Sequence, residues 1–149
     1  MLRAYTKKLI WTVTIFTNLF MLSCNKKSEL EEPPIGEITG EIVGTWYLNK
    51  STVEIIPTLA SSELGQTEVE DGNGEYWVFS STTISAYDKK GHLEDGPTNY
   101  IYDKKTNKLF IDDEEDSFSV ITLTDKELVL FAKRSEGFLE VRLTMEFFR

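Results

Sequence analysis

The stretch FLEVRLTMEFF, residues 138–148, alternates apolar and polar side chains along almost its whole length. Its apolar positions are Leu139, Val141, Leu143, Met145 and Phe147. Successive side chains of a β-strand point to opposite faces, so this alternation predicts a strand with one buried face and one wet face. Such a strand needs partner strands on both sides, and the rest of the chain has to supply them.

Similar stretches precede it at short intervals. ELVLFAKR, residues 127–134, is followed by a turn at 135–137, which predicts a hairpin with the last strand. SFSVITLT, residues 117–124, slips in phase between Val120 and Ile121, which predicts a β-bulge. Further upstream, TNYIYD and KLFID flank the turn KKTN at 104–107 and predict a second hairpin.

The first half of the folded region is less regular. IVGTWYLN, residues 42–49, predicts an opening strand, and residues 75–88 predict either one bent strand or two. Residues 50–74 mix a short apolar run with Pro57, a candidate helical turn and a glycine-rich loop. Because no window sustains helical spacing, we expect an all-β antiparallel up-and-down meander of about eight strands. Such a meander has to close on itself or stack as two sheets, since open edges would pair with other chains, and the succession of local hairpins favours closure into a barrel.

The N-terminus has the layout of a secretory leader. Residues 1–8 carry three cations and no acid, and the apolar stretch at 9–22 is shorter than the roughly 20 residues that a membrane-spanning helix needs. Residues 21–24, MLSC, resemble the lipobox of bacterial lipoproteins. The resemblance implies a signal peptide over residues 1–23, a lipidated Cys24, a polar tether over 24–41, and an outer-membrane lipoprotein of a Gram-negative cell envelope, on its periplasmic face or at the cell surface.

Residues 44–46, GTW, resemble the Gly-x-Trp signature of lipocalins. Together with the lipobox and the late stretch LTDKELVLF, residues 123–131, they make the chain similar to the small lipocalin-like domains of Gram-negative lipoproteins. The resemblance implies one barrel domain over residues 42–149, with Trp46 packed across one end. Many lipocalins stack an arginine on that tryptophan, and Arg142 and Arg149 are the two candidates here.

Composition and motifs exclude several functions. The chain has 149 residues, which is enough for one domain with its own core, and a net charge of −9, which makes nucleic acid a poor partner. His92 is the only histidine, and Cys24 lies outside the folded region, so neither a zinc site nor a histidine-activated nucleophile is expected. The acidic stretches 70–75 and 111–116 lack the EF-hand spacing. We expect no metal, no cofactor and no enzymatic activity.

Two binding hypotheses remain. In the first, strand aromatics line a barrel cavity that holds a small hydrophobic or amphipathic ligand; the candidate residues are Trp46, Trp77, Phe79, Tyr100, Tyr102 and Phe110. The alternative is a barrel filled by those same side chains, whose outer face presents Tyr47, Tyr76, Val78 and Phe148 to a protein or a glycan. The internal volume decides between them, and the sequence does not give that volume.

Overall fold

The computed structural model describes residues 32–58, 65–112 and 117–149. In these ranges the chain forms nine β-strands and no helix. The strands are β1 (Gly44–Pro57), β2 (Gln66–Asp71), β3 (Tyr76–Phe79), β4 (Thr83–Tyr87), β5 (Leu93–Asp103), β6 (Lys108–Ile111), β7 (Ser117–Leu123), β8 (Glu127–Glu136) and β9 (Leu139–Phe148).

All pairings between the strands are antiparallel and follow the order β2-β1-β3-β4-β5-β6-β7-β8-β9, and β1 also pairs with β9. The contact between the first and last strands closes an eight-stranded barrel of β1 and β3 to β9. The predicted all-β, lipocalin-like barrel is confirmed. The ninth strand, β2, pairs only with β1 in the described part of the chain.

A bulge divides β1 into two parts with different neighbours. Residues 44–47 pair with β3, the register against β9 shifts between Leu48 and Lys50, and residues 50–55 then pair with β2. Gly72 enters the bulge and donates its N–H to the Asn49 carbonyl at 2.9 Å, where a Cβ would lie 1.8 Å from the Leu48 oxygen. Only glycine fits this crossing, so β2 can leave β1 there and the chain can continue into β3.

These two parts of β1 divide the molecule into two regions, a lower barrel and an upper ribbon. The lower barrel consists of residues 44–48 of β1 with β3 to β9. The upper ribbon consists of residues 50–57 of β1 with β2, and it extends past the ends of β3 and β4, along β9.

The core fills the lower barrel. The largest fully buried side chains are Trp46, Phe79, Phe147, Ile84, Leu109, Leu123, Leu128, Leu130, Met145 and Val120. An eight-stranded barrel is just wide enough for side chains to fill, and here large inward residues from seven strands do so.

The hairpins and the bulge predicted from the sequence are present. β8 and β9 pair in register from Glu127↔Phe148 to Glu136↔Leu139, β5 pairs with β6 across residues 104–107, and the register of β7 shifts between Val120 and Thr122. Residues 75–88 form two strands rather than one. Within residues 50–74, positions 50–57 and 66–71 are strands, and positions 59–64 of the stretch with the candidate helical turn lie outside the described residues.

The prediction of a wet outer face on β9 is wrong at Glu140, which is only 6% exposed. Its carboxylate accepts a hydrogen bond from Arg142 Nε at 2.7 Å and lies 3.1 Å from Lys133 Nζ. Burial raises the pKa of Glu140, but the hydrogen bonds and charges of Arg142 and Lys133 outweigh it and hold that pKa below its ordinary value. A paired carboxylate can therefore occupy a position that the alternation assigns to solvent.

The segment before β1 lies along β7. Ile38 forms a parallel bridge with Leu123, the N–H groups of Gly36, Thr39 and Gly40 bond to carbonyls of β7, and Ile42 is buried. The predicted tether thus contributes its last residues to the fold. The predicted leader, 1–23, and Cys24 lie outside the described residues. Across the described ranges, we find no helix with the length and hydropathy of a membrane span.

Candidate functional site: the two ends of the barrel

One end of the barrel is closed by Trp46 and Arg149. The Trp46 indole N–H donates to the Ile42 carbonyl at 2.7 Å, and the Arg149 guanidinium carbon lies 3.8 Å from the centre of the Trp46 ring. Arg149 also donates to the carbonyls of Glu41 and Val43, at 2.9 Å and 2.6 Å. Of the two candidate arginines, the structure assigns the stacking role to Arg149, since Arg142 bonds Glu140 on the outer face of β9.

Gly44 makes this closure sterically feasible. Its φ is +135°, and a Cβ at this position would lie 2.8 Å from Arg149 Nη2. The glycine of the Gly-x-Trp motif therefore provides both a backbone conformation that other residues rarely adopt and the space for the stacked arginine. A large chemical group at this end would have to displace Arg149.

Four of the six predicted lining residues, Trp46, Trp77, Phe79 and Tyr100, are buried together in the core. The Trp77 ring lies 4.9 Å from the Phe147 ring, and the Phe79 ring lies 5.3 Å from the Tyr100 ring in an edge-to-face contact. Tyr100 donates its hydroxyl to the Ser80 carbonyl at 2.6 Å, and burial raises the pKa of this phenol. These rings pack against protein, so they belong to the core of the lower barrel.

The other two predicted lining residues differ. Tyr102 is partly buried against the core, and its hydroxyl lies 3.5 Å from Asn107 Oδ1. Phe110 is 37% exposed and sits between the buried Leu109 and Ile111, so it points away from the barrel interior. The predicted placement of Phe110 in the lining is wrong, because the alternation of side chains on β6 turns the neighbouring aliphatic residues inward.

An open groove of about 340 Å³ lies on the upper ribbon, lined by Val53, Ile55, Gln66, Thr67 and Glu68. Val53 is opposite Glu68 on β2 and Leu143 on β9, and Ile55 is opposite Gln66 and Val141. Directly paired residues share a face of the sheet, and Met145, on the same face of β9, belongs to the core. The groove therefore lies on the inward face of the ribbon, beyond the filled lower barrel.

The groove combines an apolar side with a polar one. Val53 and Ile55 are half-buried, whereas every residue of β2 is exposed. Sequence reasoning missed this site because residues 50–74 gave no clear strand pattern. The available signal was the alternation Thr52, Val53, Glu54, Ile55, which places the two aliphatic residues on one face.

A row of aromatic rings crosses four adjacent strands on the outer face. Ring centres are 5.8 Å apart for Phe148 and Tyr47, 5.6 Å for Tyr47 and Tyr76, and 5.1 Å for Tyr76 and Tyr87, which are stacked at 8°. Tyr47 is 43% exposed and Phe148 49% exposed. Three of the four outer-face residues predicted from the sequence belong to this aromatic ladder; Val78 lies next to it, and Tyr87 was missed.

His92, considered in the sequence analysis as a metal or catalytic residue, lies in a turn beside Asp88. The Asp88 carboxylate accepts N–H bonds from Lys90 and His92, both at 2.8 Å, and lies 3.0 Å from the His92 ring nitrogen Nδ1. The backbone bond from His92 lowers the pKa of Asp88. No group of three or more His, Cys, Asp or Glu side chains is placed to hold a metal ion among the described residues, which include 70–75 but only part of 111–116.

Comparison with known proteins adds one match. The family model described as a lipocalin-like domain matches residues 42–130 of the chain. This range begins just before the Gly44-Thr45-Trp46 motif and ends within β8, so it covers Trp46, most of the core and the whole upper ribbon, whereas β9 and Arg149 lie beyond it. No curated protein matches the chain at a significant level.

Proposed function

The chain belongs to the lipocalin-like domain family, and from this premise we propose that it binds a small apolar or amphipathic molecule in the groove of the upper ribbon. The observation that carries the proposal is the groove itself, about 340 Å³ in volume. Pockets for small ligands usually measure about 300–1,000 Å³ and combine an apolar surface with a few polar groups. Val53 and Ile55 supply the apolar surface, and Gln66 and Glu68 supply the polar groups.

This groove is not the ligand site predicted from the sequence, which was a barrel cavity lined by aromatic residues. Trp46, Trp77 and Phe79 are each at most 3% exposed, so a ligand among them would have to displace packed rings. Displacing one such ring costs about as much as truncating it, which is about 3–5 kcal/mol in a core. The groove needs no such displacement, because Val53 and Ile55 are already partly exposed.

Binding is tested by filling the groove. A neutral apolar dye whose fluorescence rises on binding, such as N-phenyl-1-naphthylamine, is titrated into the purified chain. We expect Ile55→Trp to weaken dye binding at least tenfold, because the larger side chain occupies the groove. Val69→Trp is the matched control, since Val69 lies on the other face of β2, opposite Thr52. Equal loss in both variants, or no binding by the wild type, would exclude the groove as the site.

We also propose that the domain is anchored to a cell envelope as a lipoprotein through Cys24, with the leader removed before that residue. The support is the order of a basic segment, an apolar segment and a small residue before the single thiol. More than one acyl chain anchors a protein stably. We expect Cys24→Ser to abolish labelling by radioactive palmitate and to release the protein from membranes; persistent labelling would refute the anchor.

The chain carries no motif of a nucleotide site or a hydrolase elbow, and we propose a non-catalytic role. The aromatic ladder favours one second candidate, which is the docking of a glycan or a protein on the outer face. Exposed tyrosines are enriched in interfaces because their rings pack while their hydroxyls remain hydrated. Binding to an immobilised glycan panel that is lost in Tyr47→Ser, with dye binding unchanged, would support a glycan site and place it outside the groove.

A further inference from the structure

The inward face of β2 places carboxylates beside the apolar side of the groove. Glu68 is opposite Val53, and Glu70 is opposite Ser51, one pair closer to the core. Both carboxylates are exposed, and neither has a hydrogen bond or an ion pair in the part of the chain that the structure describes. Glu68 lines the groove directly, so its charge faces whatever the groove holds.

The apolar side of the groove is formed by β1. Val53 and Ile55 line it, and they are opposite Leu143 and Val141 on β9, where Val141 is already buried. A molecule lying across the groove would meet a carboxylate over β2 and aliphatic side chains over β1. This arrangement matches an elongated amphiphile with its head at β2.

Among the described residues of β2, β1, β9 and β8, the nearest cation on the same face is Arg134, opposite Val141 on β8. It is three strands away from β2, or about 14 Å at the usual spacing between strands, and it has contacts of its own. Charges separated by more than about 8–10 Å are largely screened at physiological salt. Arg134 therefore does little to offset the negative charge of Glu68 and Glu70 at the β2 side of the groove.

We propose that the ligand of the groove is a cationic amphiphile, whose ammonium or amidinium head pairs with Glu68 and whose apolar body lies on Val53 and Ile55. This rests on the proposed function of the groove and adds the sign of the ligand's charge. A cationic head gains from the carboxylate of Glu68 beside it, whereas a fatty-acid carboxylate at the same place is repelled.

The test compares two probes with the same tail, dodecyltrimethylammonium and dodecanoate, as competitors of the neutral dye on the whole chain at low salt. We expect the cation to displace the dye at about three- to tenfold lower concentration, which is the range of an exposed ion pair and the repulsion it replaces. The preference should shrink in high salt. Equal or tighter binding of dodecanoate would overturn the proposal, although the groove would still be a binding site.

Two variants of β2 separate a local effect from a general one. Glu68→Gln should remove most of the preference for the cation over dodecanoate, when each competitor is compared with the variant's own affinity for the dye. Asp71→Asn removes the same charge from the opposite face of β2, opposite Lys50, and should leave the preference intact. Equal loss in both variants would mean that net charge, and not Glu68, selects the ligand, and would overturn the proposal. If neither probe displaces the dye and the dye itself does not bind, the function proposed for the groove fails as well.

Discussion

Strand β1 runs through both regions of the molecule, and its inward side chains have different fates in each. In the lower barrel, Trp46 and Leu48 are 0% and 5% exposed. In the upper ribbon, Val53 and Ile55 continue the same alternation but remain half-exposed. The difference arises because the lower residues face the inward side chains of other strands across the barrel, whereas the upper ones face a groove that opens to solvent.

The comparison teaches that a strand's own pattern does not determine how deeply it is buried. On one edge, the lower part of β1 pairs with β3, whose Trp77 and Phe79 enter the core. On that same edge, the upper part pairs with β2, all of whose residues are exposed. We infer that stability is concentrated in the lower barrel and that the upper ribbon is available for binding.

The largest expected effect is that of truncating the core. Trp46→Ala should lower the free energy of unfolding by about 3–5 kcal/mol, because it leaves a cavity and removes the surface on which Arg149 stacks. Val53→Ala should cost about 1 kcal/mol or less, since Val53 is only half-buried. Urea denaturation of both variants measures the contrast, and Tyr47→Ala is an exposed neighbour that serves as a control. Similar losses for Trp46→Ala and Val53→Ala would break the comparison between the two regions.

The next effect comes from the charge cluster on the outer side of β9, opposite the upper part of β1. Glu140→Gln should lower the free energy of unfolding at neutral pH by about 1–3 kcal/mol, because it removes the charge that pairs with Lys133 and Arg142. Within the described ranges, Arg142 already has one buried nitrogen, Nη2, that lacks a hydrogen-bond partner. Glu146→Gln on the same strand is the matched control, since its pair with Lys50 is exposed and should contribute about 1 kcal/mol or less.

The lowered pKa of Glu140 also predicts how the free energy of unfolding depends on pH. Because the pKa of Glu140 is lower in the folded state, its contribution is fully present above its unfolded value of 4.5 and is lost as the pH falls through the folded value. The wild type should therefore lose stability below about pH 4.5 by an amount that Glu140→Gln lacks. Parallel stability curves for the two proteins in acid would contradict the lowered pKa.

Sequence alone predicted the lower barrel well and the upper ribbon poorly, for physical reasons. The strands of the lower barrel are buried on one face, so residues such as Leu128, Leu130 and Met145 show the alternation clearly. β2 is exposed on both faces, so QTEVED carries no apolar pattern that would reveal a strand. Strand alternation also cannot show that Glu140 is buried, because Lys133, one of its two partners, comes from the neighbouring strand β8.

The candidate site follows the same division. The aromatic residues of the lower barrel were predicted to point inward, and Trp46, Trp77, Phe79 and Tyr100 do so, but whether they line a cavity or fill a core depends on packing. The sequence left open whether Arg142 or Arg149 stacks on Trp46, because the contact joins residue 149 to the first strand and depends on the tertiary structure. The groove needed the register of β2 against β1, which no local pattern specifies.

A further prediction concerns how the lower barrel is closed. Arg149→Ala should cost about 1–2 kcal/mol, as expected for a cation–π contact and hydrogen bonds to two carbonyls. Gly44→Ala should cost a similar amount, because a Cβ there meets Arg149 Nη2 and the φ of +135° is strained for alanine. In the double variant the alanine Cβ no longer meets the Arg149 side chain, so the steric part of the Gly44→Ala cost disappears. The double variant should therefore lose less stability than the sum of the losses in the two single variants. Strict additivity would mean that Gly44 is required only for its backbone conformation. Arg149→Lys should recover little, since lysine lacks the planar group that stacks.

The smallest expected effect lies at the rim, where β3 and β4 end and the upper ribbon continues alone. Tyr76 and Tyr87 are paired across these strands with their rings stacked at 5.1 Å, so each limits the exposure of the other. A double-mutant cycle with alanine should give a coupling of about 0.5–1 kcal/mol, the range of a cross-strand aromatic pair. The Tyr47–Phe148 pair, 5.8 Å apart at a tilt of 31°, should couple more weakly because its rings overlap less and are more exposed. A stronger coupling in the Tyr47–Phe148 pair than in the Tyr76–Tyr87 pair would mean that the β1–β9 end of the aromatic ladder contributes more to stability than the β3–β4 end. That result would weaken the case for Tyr47 and Phe148 as a free binding surface, since residues committed to stability are less available to a partner.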